Sequence, residues 1–279
     1  VPRPSPEELG TFYRNEYFKA GVTATYSTDY TQAELAQKRL RADCVVELIS
    51  RHVESAGDIR FLEVGCGEGF VVKSAVQRGW NVQAVDYQLA PAQKFNSDIV
   101  EQVVACDPNE YLRQRIAAGA RFDVIVLQNV LEHVLEPEQL LEQLRTIVSP
   151  RGCLVVQVPN DFSALQQLAR AEGRTARDYW FLPPQHLNYF NEDNLPKVAY
   201  RAGFQIVDGV TDFPIEMFLW RASSNYALDP SLGKHAHQGR VTLDLYLARK
   251  GLQRYVDFYR SAFLVGLGRN LCAVLKPLG

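Results

Sequence analysis

The 279-residue chain has no surplus of either charge, with 30 lysines and arginines against 32 aspartates and glutamates. No global field would gather a polyanion, which disfavours nucleic acid as a partner. It also has no Cys-x-x-Cys pair: the five cysteines at 44, 66, 106, 153 and 272 fit neither a zinc knuckle nor a disulfide framework. Single thiols suit a reducing compartment, so a cytoplasmic location is expected. The polar start, Val1-Pro2-Arg3-Pro4, has no initiator methionine and no apolar run of the kind a signal peptide or membrane anchor needs. A trimmed, soluble chain without a membrane span is expected. There is no internal repeat and no low-complexity tract. With 47% hydrophobic residues, the chain can bury one large core, or one core with a modest cap.

Short apolar runs at 59–64, 82–85, 100–104, 122–127 and 154–158 alternate with stretches of helical composition. That alternation predicts a parallel sheet covered on both faces, so the expected fold is α/β, doubly wound, with seven mostly parallel strands. Residues 1–58 supply an extended arm around Pro2, Pro4 and Pro6 and then a helix over 33–53; residues 59–160 supply the core. Leu140, Leu141, Leu144, Ile147 and Val148 give helical spacing over 137–148, with Pro137 near the start and Ser149-Pro150-Arg151-Gly152 as the stop. After Pro159 the pattern turns aromatic and polar, and 160–190 reads as an insertion over the strand ends. A helix over 195–202 and a sixth strand over 204–210 follow. A second insertion fills 212–265, with a polar loop at 229–240 and a helix over 241–259. The insertions within 161–265 form a cap on the substrate side. The closing segment, 266–279, holds a last strand at 270–276, antiparallel beside the sixth.

Phe61-Leu62-Glu63-Val64 leads into Gly65-Cys66-Gly67-Glu68-Gly69, and a helical stretch begins at Phe70. Glycine permits backbone angles closed to other residues and lets a ligand touch the main chain, while the helix start behind it offers free amide hydrogens. A dinucleotide loop needs a third small residue where this chain has Phe70, so the NAD pattern fails and only G-x-G-x-G stands. Asp86 ends the second run, where a carboxylate can accept both hydroxyls of a ribose.

Leu62-Glu63-Val64-Gly65-Cys66-Gly67-Glu68-Gly69, Val85-Asp86, Ala105-Cys106-Asp107 and Asn129-Val130-Leu131-Glu132-His133-Val134 resemble the Rossmann-like S-adenosylmethionine (SAM) methyltransferases akin to the O-methyltransferases of quinone biosynthesis. The resemblance covers about residues 59–160. It implies SAM as cofactor, S-adenosylhomocysteine (SAH) as product and no metal. By it, Gly65, Gly67 and Gly69 shape the cofactor loop and Glu63 lies near the cofactor's amino-acid end. Asp86 takes the ribose, Asp107 the adenine amino group, and Gln128 and Asn129 lie beside the sulfonium. Cys66 and Tyr87 line the pocket. The alternatives are a solvated turn for Asp107, a space-filling role for Cys66, whose thiol has no adjacent base, and simple packing for Tyr87.

Methyl transfer is an in-line displacement at a carbon already activated by positive sulfur, so alignment and desolvation supply much of the acceleration. A hydroxyl acceptor must also lose a proton, for which histidine is suited. His133 follows the fourth strand, and His186 lies in the aromatic stretch 179–190; each is a candidate base. A hydrogen-bonded wall residue and a lid contact are their alternatives. His52, His235 and His237 are weaker, and His235-Ala236-His237 has no carboxylates to suggest a metal. The aromatic stretch, with Phe213, Phe218, Trp220 and Tyr226, is either an apolar pocket for a ring-shaped acceptor or core beneath a cap.

Pro183-Pro184-Gln185-His186-Leu187-Asn188-Tyr189-Phe190 resembles a segment of methyltransferases that act on sugars and small metabolites, without the zinc-binding domain of the sugar-carbon enzymes. Asp212-Phe213-Pro214-Ile215-Glu216-Met217-Phe218 and Gly266-Leu267-Gly268-Arg269-Asn270 resemble segments of methyltransferases of bacterial surface-polysaccharide synthesis. Those likenesses imply a small carbohydrate or nucleotide-sugar acceptor, with Arg221, Lys234 and Arg240 facing a diphosphate or acidic sugar, or else solvent. A phenol, a quinone or another natural product is the alternative acceptor, and a non-catalytic SAM-binding scaffold is the alternative class. A base-methylating enzyme is disfavoured, because the fourth strand ends Leu127-Gln128-Asn129-Val130 rather than in an Asn/Asp-Pro-Pro-aromatic turn. A homodimer contact through the insertions stays open.

Overall fold

The computed structural model describes residues 3–15, 29–54, 58–183 and 185–279, so Pro2 and Pro184 lie outside the described residues. Its strands are β1 Arg60–Val64, β2 Asn81–Asp86, β3 Val103–Ala105, β4 Phe122–Gln128, β5 Val148–Pro159, β6 Phe204–Thr211 and β7 Asn270–Pro277. They form one seven-stranded sheet in the order β3-β2-β1-β4-β5-β7-β6. The first five pair in parallel, and β7 runs antiparallel between β5 and β6. The expected architecture stands, with the last strand inside the sheet and β6 at its edge.

Alternation along each strand sorts the core into two layers. Leu62, Val64, Ile125, Leu127, Leu154 and Val156 face one side, covered by α5 (Pro108–Ala117), α6 (Pro137–Ile147) and α8 (Leu195–Arg201). Phe61, Val124, Val126 and Val155 face the other, covered by α2 (Gln32–Ser50), α3 (Phe70–Gln77) and α10 (Leu252–Phe263). α2 starts at a capping box in which Thr31 and Glu34 satisfy each other's backbone N–H groups. No described helix is long and apolar enough to cross a membrane.

Four local expectations change. The proline-rich arm becomes helix α1 (Pro6–Asn15) from its sixth residue. Ser5 and Glu8 form a capping box there, and Pro6 takes the first turn, where a missing N–H costs nothing. The third apolar run is split: residues 97–102 form a 3-10 turn and only Val103–Ala105 pairs with β2. Ser149-Pro150-Arg151-Gly152 does end α6, but as an irregular stretch of β5, whose register jumps from Phe122↔Val148 to Val124↔Cys153. Finally, the polar loop at 229–240 is mostly helix, because α9 spans Gly233–Ala248. Gly251, with φ 104°, separates it from α10, so the helix expected over 241–259 is two.

Candidate active site

The chain leaves β1 outward to β2 and β3, then returns to β4 on the other side of β1. At such a reversal the loops after neighbouring strands part and leave a crevice at the carboxyl ends. A cavity of about 480 Å³ lies there, and Gly65, Asp86, Tyr87, Asp107, Gln128, Asn129 and His133 all line it. Residues that sequence reasoning missed complete the wall: Leu9 and Gly10 from α1, Asn109, Leu112 and Arg113 from α5, and Gln139 and Gln143 from α6.

The glycine loop is held in left-handed backbone conformations, with φ 75°, 52° and 74° at Gly65, Gly67 and Gly69. A Cβ on Gly65 would lie 2.6 Å from Cγ2 of Val130. Gly65→Ala is therefore expected to destabilise the fold by about 2 kcal/mol, from left-handed strain plus the clash, as a urea unfolding curve would read. The backbone N–H of Gly67 donates to Oδ2 of Asp86 at 2.8 Å, and Gln88 N–H donates to Oδ1 at 3.3 Å. Burial raises the Asp86 carboxyl above the usual range, and these N–H groups oppose that rise. Asp107 caps α5 by accepting from Asn109 N–H at 2.8 Å, and its Oδ1 lies 3.5 Å from the Tyr87 hydroxyl. Capping and wall positions coincide in this one residue.

Glu63, Cys66, Gly67, Gly69 and His186 are not on the cavity wall. Glu63 is buried behind the loop with Oε2 unpartnered among the described residues, and burial holds its carboxyl far above its ordinary value. Cys66 packs into an apolar cluster with Val72, Ala84, Ala92 and Ile99, and burial pushes its thiol far up, as befits a space-filler.

Asn129 and Phe162 are the non-glycine residues with positive φ among those described, at 52° and 57°. They follow β4 and β5, where the chain turns across the site. Gln157 O accepts from Asn129 N–H at 2.9 Å, and Gln157 Nε2 donates to Asn129 Oδ1 at 3.4 Å, which fixes Asn129 against the wall.

The insertion folds down onto the turn after β4. Leu187 and Asn188 donate N–H bonds of 2.8 and 3.0 Å to the Glu132 carbonyl. Nδ1 of His133 lies 2.7 Å from the Gln185 carbonyl. The His133 and His186 rings meet edge to face, 5.1 Å apart, so the two candidate bases are brought together. Burial lowers His133 to about 4, with Gln185 opposing and His186 adding. His186 Nδ1 lies 3.5 Å from Oδ2 of Asp161, whose Oδ1 pairs with Arg269 at 2.8 Å. The sequence predicts no metal; Glu132, His133 and His186 are the trio of donors, within 4.8 Å of one another, whose spacing fits a cation among the described residues.

The remaining candidates disperse. His52 pairs with Asp208, His235 is exposed, and His237 pairs with Glu34. Arg221 and Lys234 are exposed, while Arg240 turns inward and donates to His237 Nδ1 at 2.9 Å. None of these lines the cavity. The aromatics also divide. Phe162, Phe181, Trp180 and Tyr189 pack around the His186 segment, whereas Phe213 pairs with Phe218. Tyr226 meets Tyr179, and Trp220 donates to Glu172. Segments 212–218 and 266–270 are spent on each other: Asp212 Oδ1 accepts from Arg269 and Asn270 N–H at 2.8 Å each. Gly268, at φ 117°, leaves 1.6 Å between a Cβ site and Thr211 Oγ1, so a side chain there has no room.

Comparison with known proteins bears on the fold. A ubiquinone biosynthesis O-methyltransferase of Stutzerimonas stutzeri is 30% identical over 109 residues, 38% of this chain and 47% of that protein. The corresponding protein of Azotobacter vinelandii is 34% identical over 109 residues, with the same shares of 38% and 47%. The chain thus spans about half the length of the curated relatives it matches. A crystal structure of a SAM dependent methyltransferase from Archaeoglobus fulgidus superposes with a TM-score of 0.53 at 17% identity, covering 88% of this chain and 94% of that one, which shows a shared fold. The sheet order, the loop after β1 and the matched residues 32–208, more than half of the chain and running from α2 into β6, place this protein in the methyltransferase-domain family.

Proposed function

We propose that the chain transfers the methyl group of SAM to a hydroxyl of a small ring-bearing acceptor of the phenol or quinol class, and that His133 takes the acceptor's proton. The observation that carries this reading is the single crevice in which the glycine-loop entry, Asp86, Asp107, Asn129 and His133 meet. In it Asp86 accepts the ribose hydroxyls, Asp107 and Tyr87 border the adenine, and Gln128 and Asn129 flank the sulfonium. The carbonyl of Gln185 only accepts, so it keeps the hydrogen of neutral His133 on Nδ1 and leaves Nε2 as the basic nitrogen.

Two observations favour a ring acceptor over a carbohydrate. The curated relatives are named for ubiquinone biosynthesis. The segments that resembled polysaccharide enzymes bind each other, and the cations assigned to an acidic sugar lie away from the cavity.

Tritiated-methyl labelling from SAM across catechols, quinols, nucleotide sugars and glycans tests the reading. Label is expected in a catechol or quinol, and His133→Ala should lower that turnover about 100-fold or more with SAM binding retained. Label confined to sugars would restore the carbohydrate acceptor. SAM binding with no transfer to any of them would make the chain a scaffold subunit.

A further inference from the structure

Gln185-His186-Leu187-Asn188 stands out in the sequence, yet the reaction so far leaves the side chain of Asn188 idle. The chain between β4 and α6 is an irregular turn in which only Leu131–His133 form a short 3-10 helix. Such a turn leaves carbonyl groups that must find partners elsewhere. Asn188 supplies them. Its Nδ2 donates to the Val134 carbonyl at 2.7 Å and to the Leu131 carbonyl at 3.4 Å, and its backbone N–H donates to the Glu132 carbonyl at 3.0 Å. One residue therefore grips the turn on both sides of His133. The amide oxygen is used as well, because Oδ1 accepts from Arg3 Nη2 at 3.4 Å. Carbonyls on one side can only accept and a guanidinium on the other can only donate, so these neighbours fix which way the amide points. Arg3 also donates from Nη1 to the Leu135 carbonyl at 3.2 Å, and it leads into α1, whose Leu9 and Gly10 belong to the cavity wall.

We propose that Asn188 is a positioning residue for methyl transfer, acting through His133. The inference rests on the reading of His133 as the group that meets the acceptor hydroxyl. In-line transfer needs the acceptor oxygen, the methyl carbon and sulfur aligned, with Nε2 within hydrogen-bond reach of the hydroxyl. A displacement of about 1 Å at such a group costs about 100-fold in rate. The imidazole has two anchors: its own backbone in the turn, and the Gln185 carbonyl at Nδ1. Both depend on how residues 185–188 sit against the turn.

The backbone bonds alone do not fix that seat. Leu187 N–H and Asn188 N–H both end on the same oxygen, the Glu132 carbonyl, which sets a distance but acts as a pivot. The amide of Asn188 reaches carbonyls on either side of that oxygen, at Leu131 and Val134, and so removes the rotation. Without it the segment can swing about the pivot and carry the Gln185 carbonyl away from Nδ1. The hydrogen of neutral His133 is then no longer held on Nδ1, and Nε2 loses both its lone pair for part of the time and its direction.

Nitrogen-15 NMR of histidine-labelled protein reads the tautomer directly and needs no acceptor, with His133→Ala to assign the signals. Wild type should show the His133 hydrogen on Nδ1. In Asn188→Ala, and in Asn188→Asp, which is the same size and keeps an acceptor for Arg3 but has no amide hydrogens, the His133 signals should move to an average of the two tautomers while SAM still binds in full. With a catechol or quinol, kcat should fall about 30-fold and the KM for SAM change by less than about threefold. Arg3→Met leaves both amide hydrogens in place; it should keep the wild-type tautomer and lose less than about threefold in kcat, as befits an exposed contact. An unchanged His133 signal in an Asn188 variant that binds SAM, with or without a lower melting temperature, makes Asn188 an ordinary structural residue and overturns the proposal alone. An equal loss in Arg3→Met places the effect in α1 and overturns it too. Turnover that survives His133→Ala sinks the reading of His133 as base and, with it, any catalytic purpose for the brace.

Discussion

Asp86→Ala is expected to weaken SAM binding by about 100-fold or more while the protein still unfolds cooperatively. Its carboxylate has two tasks. It accepts from Gly67 N–H at 2.8 Å and so braces the loop at a residue with φ 52°, and its remaining lone pairs face the cavity. Hydrogen bonds to a charged group are worth roughly 1.5–3 kcal/mol each, so loss of two ribose contacts corresponds to about 100-fold at the lower end. The fold should lose much less. Burial already raises the Asp86 carboxyl, meaning its charge is held at a cost that alanine removes. Asp86→Asn keeps one oxygen for Gly67 N–H but gives up an acceptor, and should fall between the two, near tenfold. Calorimetry with SAM and SAH reads both variants. An Asp86→Ala protein that bound SAM like the wild type would remove the ribose role and, with it, the orientation of the cofactor in the crevice.

Asp86 and the glycine loop were legible in the sequence because strand, loop and carboxylate are linked by local rules: a strand end, backbone angles that need glycine, and an acid at the next strand's tip. His133 and His186 were each legible as candidates, but not as neighbours, since their contact depends on how the insertion folds down onto the Glu132 carbonyl. Glu132 carried no signal of its own. An acid before a histidine reads as surface until tertiary packing removes water from it. α1 was missed although Ser5-Pro6-Glu7-Glu8 contains a capping box, because three prolines in alternate positions suggested an extended chain. With α1 went its contribution of Leu9 and Gly10 to the cavity. Segments 212–218 and 266–270 pointed to a ligand when each was taken alone. Together they show an aspartate accepting the N–H groups of the opposite turn, a demand that appears only when β6 and β7 are paired.

That pairing also places a side chain that is costly to remove. Arg269→Met is expected to destabilise the protein by about 3–5 kcal/mol, as for other buried pairs that lose one partner. Arg269 precedes β7 and donates from Nη1 to Asp161 Oδ1 at 2.8 Å, and Asp161 is 1% exposed. Burial works against the guanidinium's charge, yet Asp161 and Glu216 outweigh it and hold Arg269 above its ordinary value. Methionine fills much of the same volume, so the loss reports charge rather than a cavity. It would leave Asp161 and Glu216 as buried carboxylates without their cation. Arg269→Met combined with Asp161→Asn should recover part of the stability, which a double-mutant cycle on urea unfolding would measure. If the double variant were no more stable than Arg269→Met alone, the ion pair would not be the source of the loss. The position of Asp161 beside His186 adds a second readout: in Arg269→Met the insertion should loosen, seen as faster amide exchange at Leu187 and Asn188, whose N–H groups hold it to Glu132.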